Sequence, residues 1–128
     1  MRLGYVILFV ADVPKTLAFY EEAFGLQRRF LHESHQYGEM DTGQTILAFV
    51  HEEIPSSSCS FRRNRSIEQA AGMEIAFVVD HVEKVFEHAV QSGAIGVLSP
   101  TLKPWGQVVS YVRDNNGVLI EICSAVGG

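Results

Sequence analysis

The chain repeats itself. Tyr5-Val-Ile-Leu-Phe-Val-Ala-Asp-Val13 lines up with Glu74-Ile-Ala-Phe-Val-Val-Asp-His-Val82 at a constant offset of 69 residues, which restricts the fold to two copies of one supersecondary unit. Each stretch is a β-branched and aromatic run that ends in acidic turn residues, the pattern of a strand. A helical pattern follows in both copies. Val13, Leu17, Tyr20 and Phe24 recur at spacings of four, three and four, and Val82, Phe86 and Ala89 hold the matching places. Asp12 before Pro14, and Asp80 with Glu83 three residues later, supply the acceptors that helix starts require. Gly25 and Gly93 are the expected helix stops.

Three further strands are expected in each copy, near residues 27–33, 37–40 and 45–51 in the first and 96–99, 108–113 and 118–123 in the second. Asp41-Thr42-Gly43 and Asn115-Asn116-Gly117 precede the last strands, where a positive φ suits Gly and is tolerable for Asn. Each copy therefore reads β-α-β-β-β. The fold class is α+β, with module 1 over about 3–52, module 2 over about 72–124 and a polar linker over about 53–71 in one domain. The linker carries Ser56, Ser57 and Ser58 with Arg62, Arg63 and Arg65, and has no sustained period. One helix covers one face of each sheet. The other faces are expected to form an open, barrel-like arrangement with a cleft, where a ligand belongs.

Charge and composition narrow the functions. Ten Lys and Arg against fifteen Asp and Glu give a net charge of −5, which disfavours binding to phosphate backbones or anionic lipid. No secretory leader or membrane span is expected, because the apolar stretch from Tyr5 to Val10 is short and no window approaches the roughly 20 apolar residues a span needs. Cys59 and Cys123 are too few for a disulfide framework, so a cytoplasmic setting is expected, with both thiols in ordinary packing.

With the βαβββ pair in place, the run Val10-Ala11-Asp12-Val13, then Phe19-Tyr20 and Phe24-Gly25-Leu26, together with the closing Arg113-Asp114-Asn-Asn-Gly117-Val-Leu-Ile-Glu121-Ile, resembles the vicinal oxygen chelate superfamily. This is the group of glyoxalase I, extradiol dioxygenases and bleomycin-resistance proteins. The similarity runs from about Arg2 to Ser124. It implies four inward side chains around one divalent ion, which fall on Tyr5, Leu47, Glu74 and Glu121 when Gly43 is matched to Gly117. Tyr5 and Glu74 stand where His is usual, and Leu47 stands where an acid is usual. A tyrosine is a poor substitute for imidazole and Leu47 donates nothing, so no cofactor is expected. If a divalent ion were held, Glu74 and Glu121 would be its ligands. The resemblance also implies a homodimer.

The residues leave two readings open. In the first, the protein binds a planar or cationic small molecule for sequestration or resistance, at a site drawn from Tyr5, His32, Tyr37, Leu47, Trp105 and Tyr111 with Glu74 and Glu121. In the second it is a lyase or isomerase in which Glu121 and Glu74 move a proton. Two carboxylates on a partly dry surface must share a proton, meet a cation or bridge an ion. Tyr37 and Tyr111 are expected at equivalent places on their strands, and His32 at the end of the second strand. No nucleophile elbow, phosphate loop or dinucleotide fingerprint is present in the sequence.

Overall fold

The computed structural model describes residues 1–127. Its contacts divide the chain into two compact units between Asn64 and Arg65. The first unit runs β1 (Tyr5–Val10), α1 (Val13–Phe24), β2 (Gln27–Leu31), β3 (Tyr37–Asp41), β4 (Ile46–His51) and a single turn, α2 (Glu53–Ser56). The second runs β5 (Glu74–Val78), α3 (Val82–Gln91), β6 (Ile95–Leu102), β7 (Val108–Arg113) and β8 (Leu119–Cys123). The sheet orders are β1-β4-β3-β2 and β5-β8-β7-β6. In each, the first strand pairs in parallel with the last, and the other pairings are antiparallel. The α+β class and the two βαβββ modules are therefore as the repeat requires.

In the first unit, the Asp12 side chain accepts from the Lys15 N–H at 2.9 Å and Gly25 closes α1 with φ of 66°. The face that α1 covers is set by strand alternation. Leu8, Val10, Met40, Leu47 and Phe49 are buried there with Val13, Leu17 and Tyr20 of the helix, and the Tyr20 and Phe49 rings lie 4.9 Å apart. Burial of each such side chain contributes about 1.5–3 kcal/mol. Gly38 lets the helix approach, since a Cβ there would come within 2.7 Å of Leu17 Cδ1.

The second unit buries Val82 and Ala89 of α3 with Val112, Ile120 and Ile122 of the sheet. Here the start of the helix departs from expectation. His81 rather than Asp80 takes the cap position, and no side chain caps the helix. The first acidic residue inside α3 is Glu83, which favours the N-terminal end of the helix dipole. β6 is longer than expected and irregular, with register shifts at Gly96/Leu98 and Leu98/Thr101. Pro100 sits in it because β6 is an edge strand.

The segment read as a linker is held down from both sides. Arg63 Nη1 reaches the carboxylates of Glu52 and Glu53 at 2.6 Å each, and Glu52 is buried. Asn64 donates to the Phe9 carbonyl at 3.0 Å and Phe61 packs on Phe9 at 4.8 Å. In the second unit, the Arg113 guanidinium donates to the carbonyls of Gly117, Arg65 and Glu68. A neutral acceptor set of this kind uses the fan of Arg donors to tie chain to chain.

Candidate functional site

Register decides which side chains share the uncovered faces. In the second unit, Glu121 pairs with Ala76 on one side and Tyr111 on the other. In the first, the same row is Ile7, Ala48 and Glu39. Ala48, not Leu47, therefore corresponds to Glu121, and Glu39, not Tyr37, corresponds to Tyr111. Leu47 instead pairs with Val6 and Met40, the row equivalent to Ile75, Ile120 and Val112. It is 4% exposed in the helix-covered core and has no place in a ligand site. The cause is one residue of loop: the chain takes seven steps from Met40 to its partner Leu47 but eight from Val112 to Ile120. Matching Gly43 to Gly117 slips the strand by one, and one residue moves every side chain to the opposite face.

On the open face of the second unit, three predicted residues come together. The Tyr111 hydroxyl lies 3.1 Å from Glu74 Oε1 and 3.2 Å from Glu121 Oε1. A phenol has one proton to donate, so it serves one carboxyl at a time and accepts from a protonated partner. The two carboxyls are driven apart. Glu74 is pushed up, first by its hydrogen bond with Glu121 and then by burial, against a smaller downward pull from Tyr111. At Glu121 burial pushes upward, but hydrogen bonds with Glu74, the Cys123 thiol and Tyr111, together with the charge of Lys103, outweigh it and hold the group low. One shared proton on Glu74 and one negative charge on Glu121 is the arrangement these shifts describe. Burial and the same carboxyls push Tyr111 up to about 12, so it stays a neutral phenol.

Trp105 is held by Gln107, which also hydrogen-bonds the Cys123 thiol beside Glu121. Its indole N–H donates to Gln107 Oε1 at 2.8 Å, Gln107 donates to the Ser124 carbonyl, and Trp105 stays 57% exposed. Its ring is thus oriented and still open to a ligand. Sequence reasoning did not single out Cys123, Gln107 or Lys103. Cys123 was within reach of it, since it follows Glu121 by two on one strand and so shares its face.

The remaining candidates lie in the first unit. Tyr37 donates to Glu39 Oε2 at 2.6 Å and Arg29 Nε to Glu39 Oε1 at 3.1 Å. Burial first, then Glu39, and lastly Tyr5 push the Tyr37 phenol up. Tyr5 is half exposed at the head of β1. His32 lies just beyond β2 in a tight turn, where its Nδ1 accepts from the Ser34 N–H at 3.0 Å. The turn is closed by His35 with φ of 62°.

The residues do not fit the four-donor metal centre that the resemblance implies. Neither Leu47 nor the true counterpart of Glu121, Ala48, has a donor atom, and Tyr5 offers a phenol in place of imidazole. Among the described residues, no three His, Cys, Asp or Glu side chains gather where they could hold an ion.

The family model described as the Glyoxalase/Bleomycin resistance protein/Dioxygenase superfamily matches residues 2–122. The curated "Uncharacterized protein YraH" of Bacillus subtilis (strain 168) is 27% identical over 125 residues, covering 95% of this chain and 97% of its own. Among solved structures, a glyoxalase-related enzyme from Fulvimarina pelagi superposes with a TM-score of 0.82 at 20% identity, over 98% of this chain and 88% of that one. A glyoxalase/bleomycin resistance protein/dioxygenase family enzyme from Burkholderia phytofirmans PsJN gives 0.79 at 22% identity, over 98% and 100%. At these identities the superpositions show a shared fold. No helix among the described residues is long and apolar enough to cross a membrane.

Proposed function

Since the chain belongs to the Glyoxalase/Bleomycin resistance protein/Dioxygenase superfamily, we propose that it is a small-molecule-binding member of that group, a cytoplasmic homodimer serving sequestration or resistance. Its ligand is a planar organic cation taken on the open face of the second unit. The observation that carries this is the Tyr111 hydroxyl set between Glu74 and Glu121. A cationic headgroup there meets the charge of Glu121 and displaces the proton of Glu74, while Trp105 offers a ring face for cation–π contact.

The opposite shifts of the two carboxyls support a second reading, a lyase or isomerase with Glu74 as acid and Glu121 as base. In that case Glu121→Gln abolishes turnover of a substrate bearing an acidic C–H while the fold is kept.

The protein has one tryptophan, so Trp105 fluorescence reports directly on the binding reading. Titration with benzyltrimethylammonium is expected to change it saturably, and the Glu74→Gln, Glu121→Gln double variant to bind at least tenfold more weakly. An unchanged titration curve in the double variant, or no saturable response in the native protein, overturns the proposal.

A further inference from the structure

The second strand of the first unit is broken in register between Arg28 and Phe30, so that Arg28 pairs with Met40 and Phe30 with Glu39. The extra residue is Arg29. A bulge of this kind places neighbouring side chains on one side where alternation would separate them. Arg28 goes to the helix-covered side and meets Glu21 of α1 at 2.8 Å. Phe30 shares the open face with Glu39, and Arg29 reaches the same face through its Nε contact to Glu39.

Glu39 is fully engaged. One of its oxygens takes Arg29 Nε and the other takes the Tyr37 hydroxyl, and its side chain is 12% exposed. Arg29 is not. Its side chain is 55% exposed, it is pinned only through Nε, and no other described residue accepts from its two Nη groups. A guanidinium oriented by a part-buried carboxylate and free at both Nη positions is a fork with its angle already fixed, which lowers the entropy lost on capturing an anion. Next in sequence, Phe30 is 45% exposed and its ring lies 6.4 Å from that of Tyr37, tilted to it, and 6.3 Å from that of His32, edge-on to it.

We propose that this face of the first unit is a binding site for aromatic carboxylates, with the Nη groups of Arg29 taking the carboxylate and the rings of Phe30 and Tyr37 taking the aromatic body. Glu39 is a positioning residue that holds Arg29 and Tyr37. An acetate-sized anion gains only the fork, and a planar ring without the anion gains only the ring contacts. The proposal is independent of the carboxyl pair in the other unit, and its probe carries the opposite charge.

The test is amide chemical-shift mapping with benzoate, acetate and benzylammonium. Benzoate is expected to move the amides of Arg29, Phe30 and Glu39 saturably, acetate to bind there at least tenfold more weakly, and benzylammonium to leave them in place. Arg29→Ala should weaken benzoate at least tenfold and Arg29→Lys should restore only part of it, because an ammonium keeps the charge and loses the fork. Phe30→Ala should bring benzoate down to acetate. Arg29 is exposed on an edge strand, so the rest of the spectrum serves as the record of an intact fold. Benzoate shifts centred elsewhere, equal benzoate affinity in Arg29→Ala, or no saturable shift overturns the site.

Discussion

Gly117 and Arg65 meet so closely that a Cβ on the glycine would lie 2.2 Å from the Arg65 carbonyl oxygen, with Arg113 Nη2 at 2.5 Å from the same point. Gly117 also has φ of 87°, a region that costs an L-residue about 1–2 kcal/mol. Gly43 has φ of 91° and open space around its Cβ position. Gly117→Ala is therefore expected to lose clearly more stability than Gly43→Ala, which should lose about 1 kcal/mol. Urea unfolding of the two variants reads the difference, which is the contribution of the Arg65 to Glu68 strap. Equal midpoints would mean that the strap yields.

Leu47 lies in the α1-covered core beside Phe49 and Met40. Leu47→Ala should cost about 2–5 kcal/mol, and Leu47→Glu should leave no folded first unit, because a buried charge is costly without a partner and Arg28, on the same face, is already paired with Glu21. The same denaturation curves decide it. A Leu47→Glu protein as stable as the parent would return this residue to the solvent side.

What the sequence carried well was whatever repeats or caps. The 69-residue offset, the apolar spacing of α1 and the turn chemistry of Asp12 and Gly25 all have local causes, and each element they mark is present. The equivalence of the two halves failed where it depended on counting through a turn. The loop before β4 is one residue shorter than the loop before β8, and nothing in Asp41-Thr42-Gly43 announces the deletion. The bulge at Arg29 was equally silent, since register is fixed by pairing with β3 and not by β2 alone. Glu39 was legible and overlooked: it follows Tyr37 by two on one strand, so the pair had to share a face. Glu74 and Glu121 were found because the family resemblance assigns both positions, whereas Tyr111 was singled out through an equivalence with Tyr37 that the strand register does not bear out.

The Glu74 and Glu121 pair gives stability a pH dependence of defined sign. Glu74 titrates above its unfolded range, so its contribution is present at low pH and is lost as pH rises through its folded midpoint. Glu121 titrates below its unfolded range, and its contribution is lost as pH falls through that lowered midpoint. The pair is most stabilising between the two midpoints. Tyr111→Phe removes a hydrogen bond that favours both carboxylates, so both midpoints should rise. Glu121→Gln removes the partner that lifts Glu74 most, so the Glu74 midpoint should fall. Carboxyl carbon NMR titration measures both. A Glu74 midpoint unmoved by Glu121→Gln would show that burial alone raises it.

The two thiols should separate cleanly in reactivity. Cys59 is exposed in the serine-rich segment, whereas Cys123 is buried in β8 with its Sγ 3.7 Å from the Phe77 carbonyl. Burial first, and then the neighbouring Glu121 carboxylate, push the Cys123 thiol up to about 11, and only the thiolate attacks an alkylating agent. Iodoacetamide at neutral pH should label Cys59 to completion and leave Cys123 intact, as mass spectrometry of the tryptic peptides would record. In Glu121→Gln the negative neighbour is gone, so Cys123 labelling at high pH should begin at lower pH than in the parent. Rapid labelling of Cys123 in the folded parent at neutral pH would place the thiol outside the carboxyl cluster.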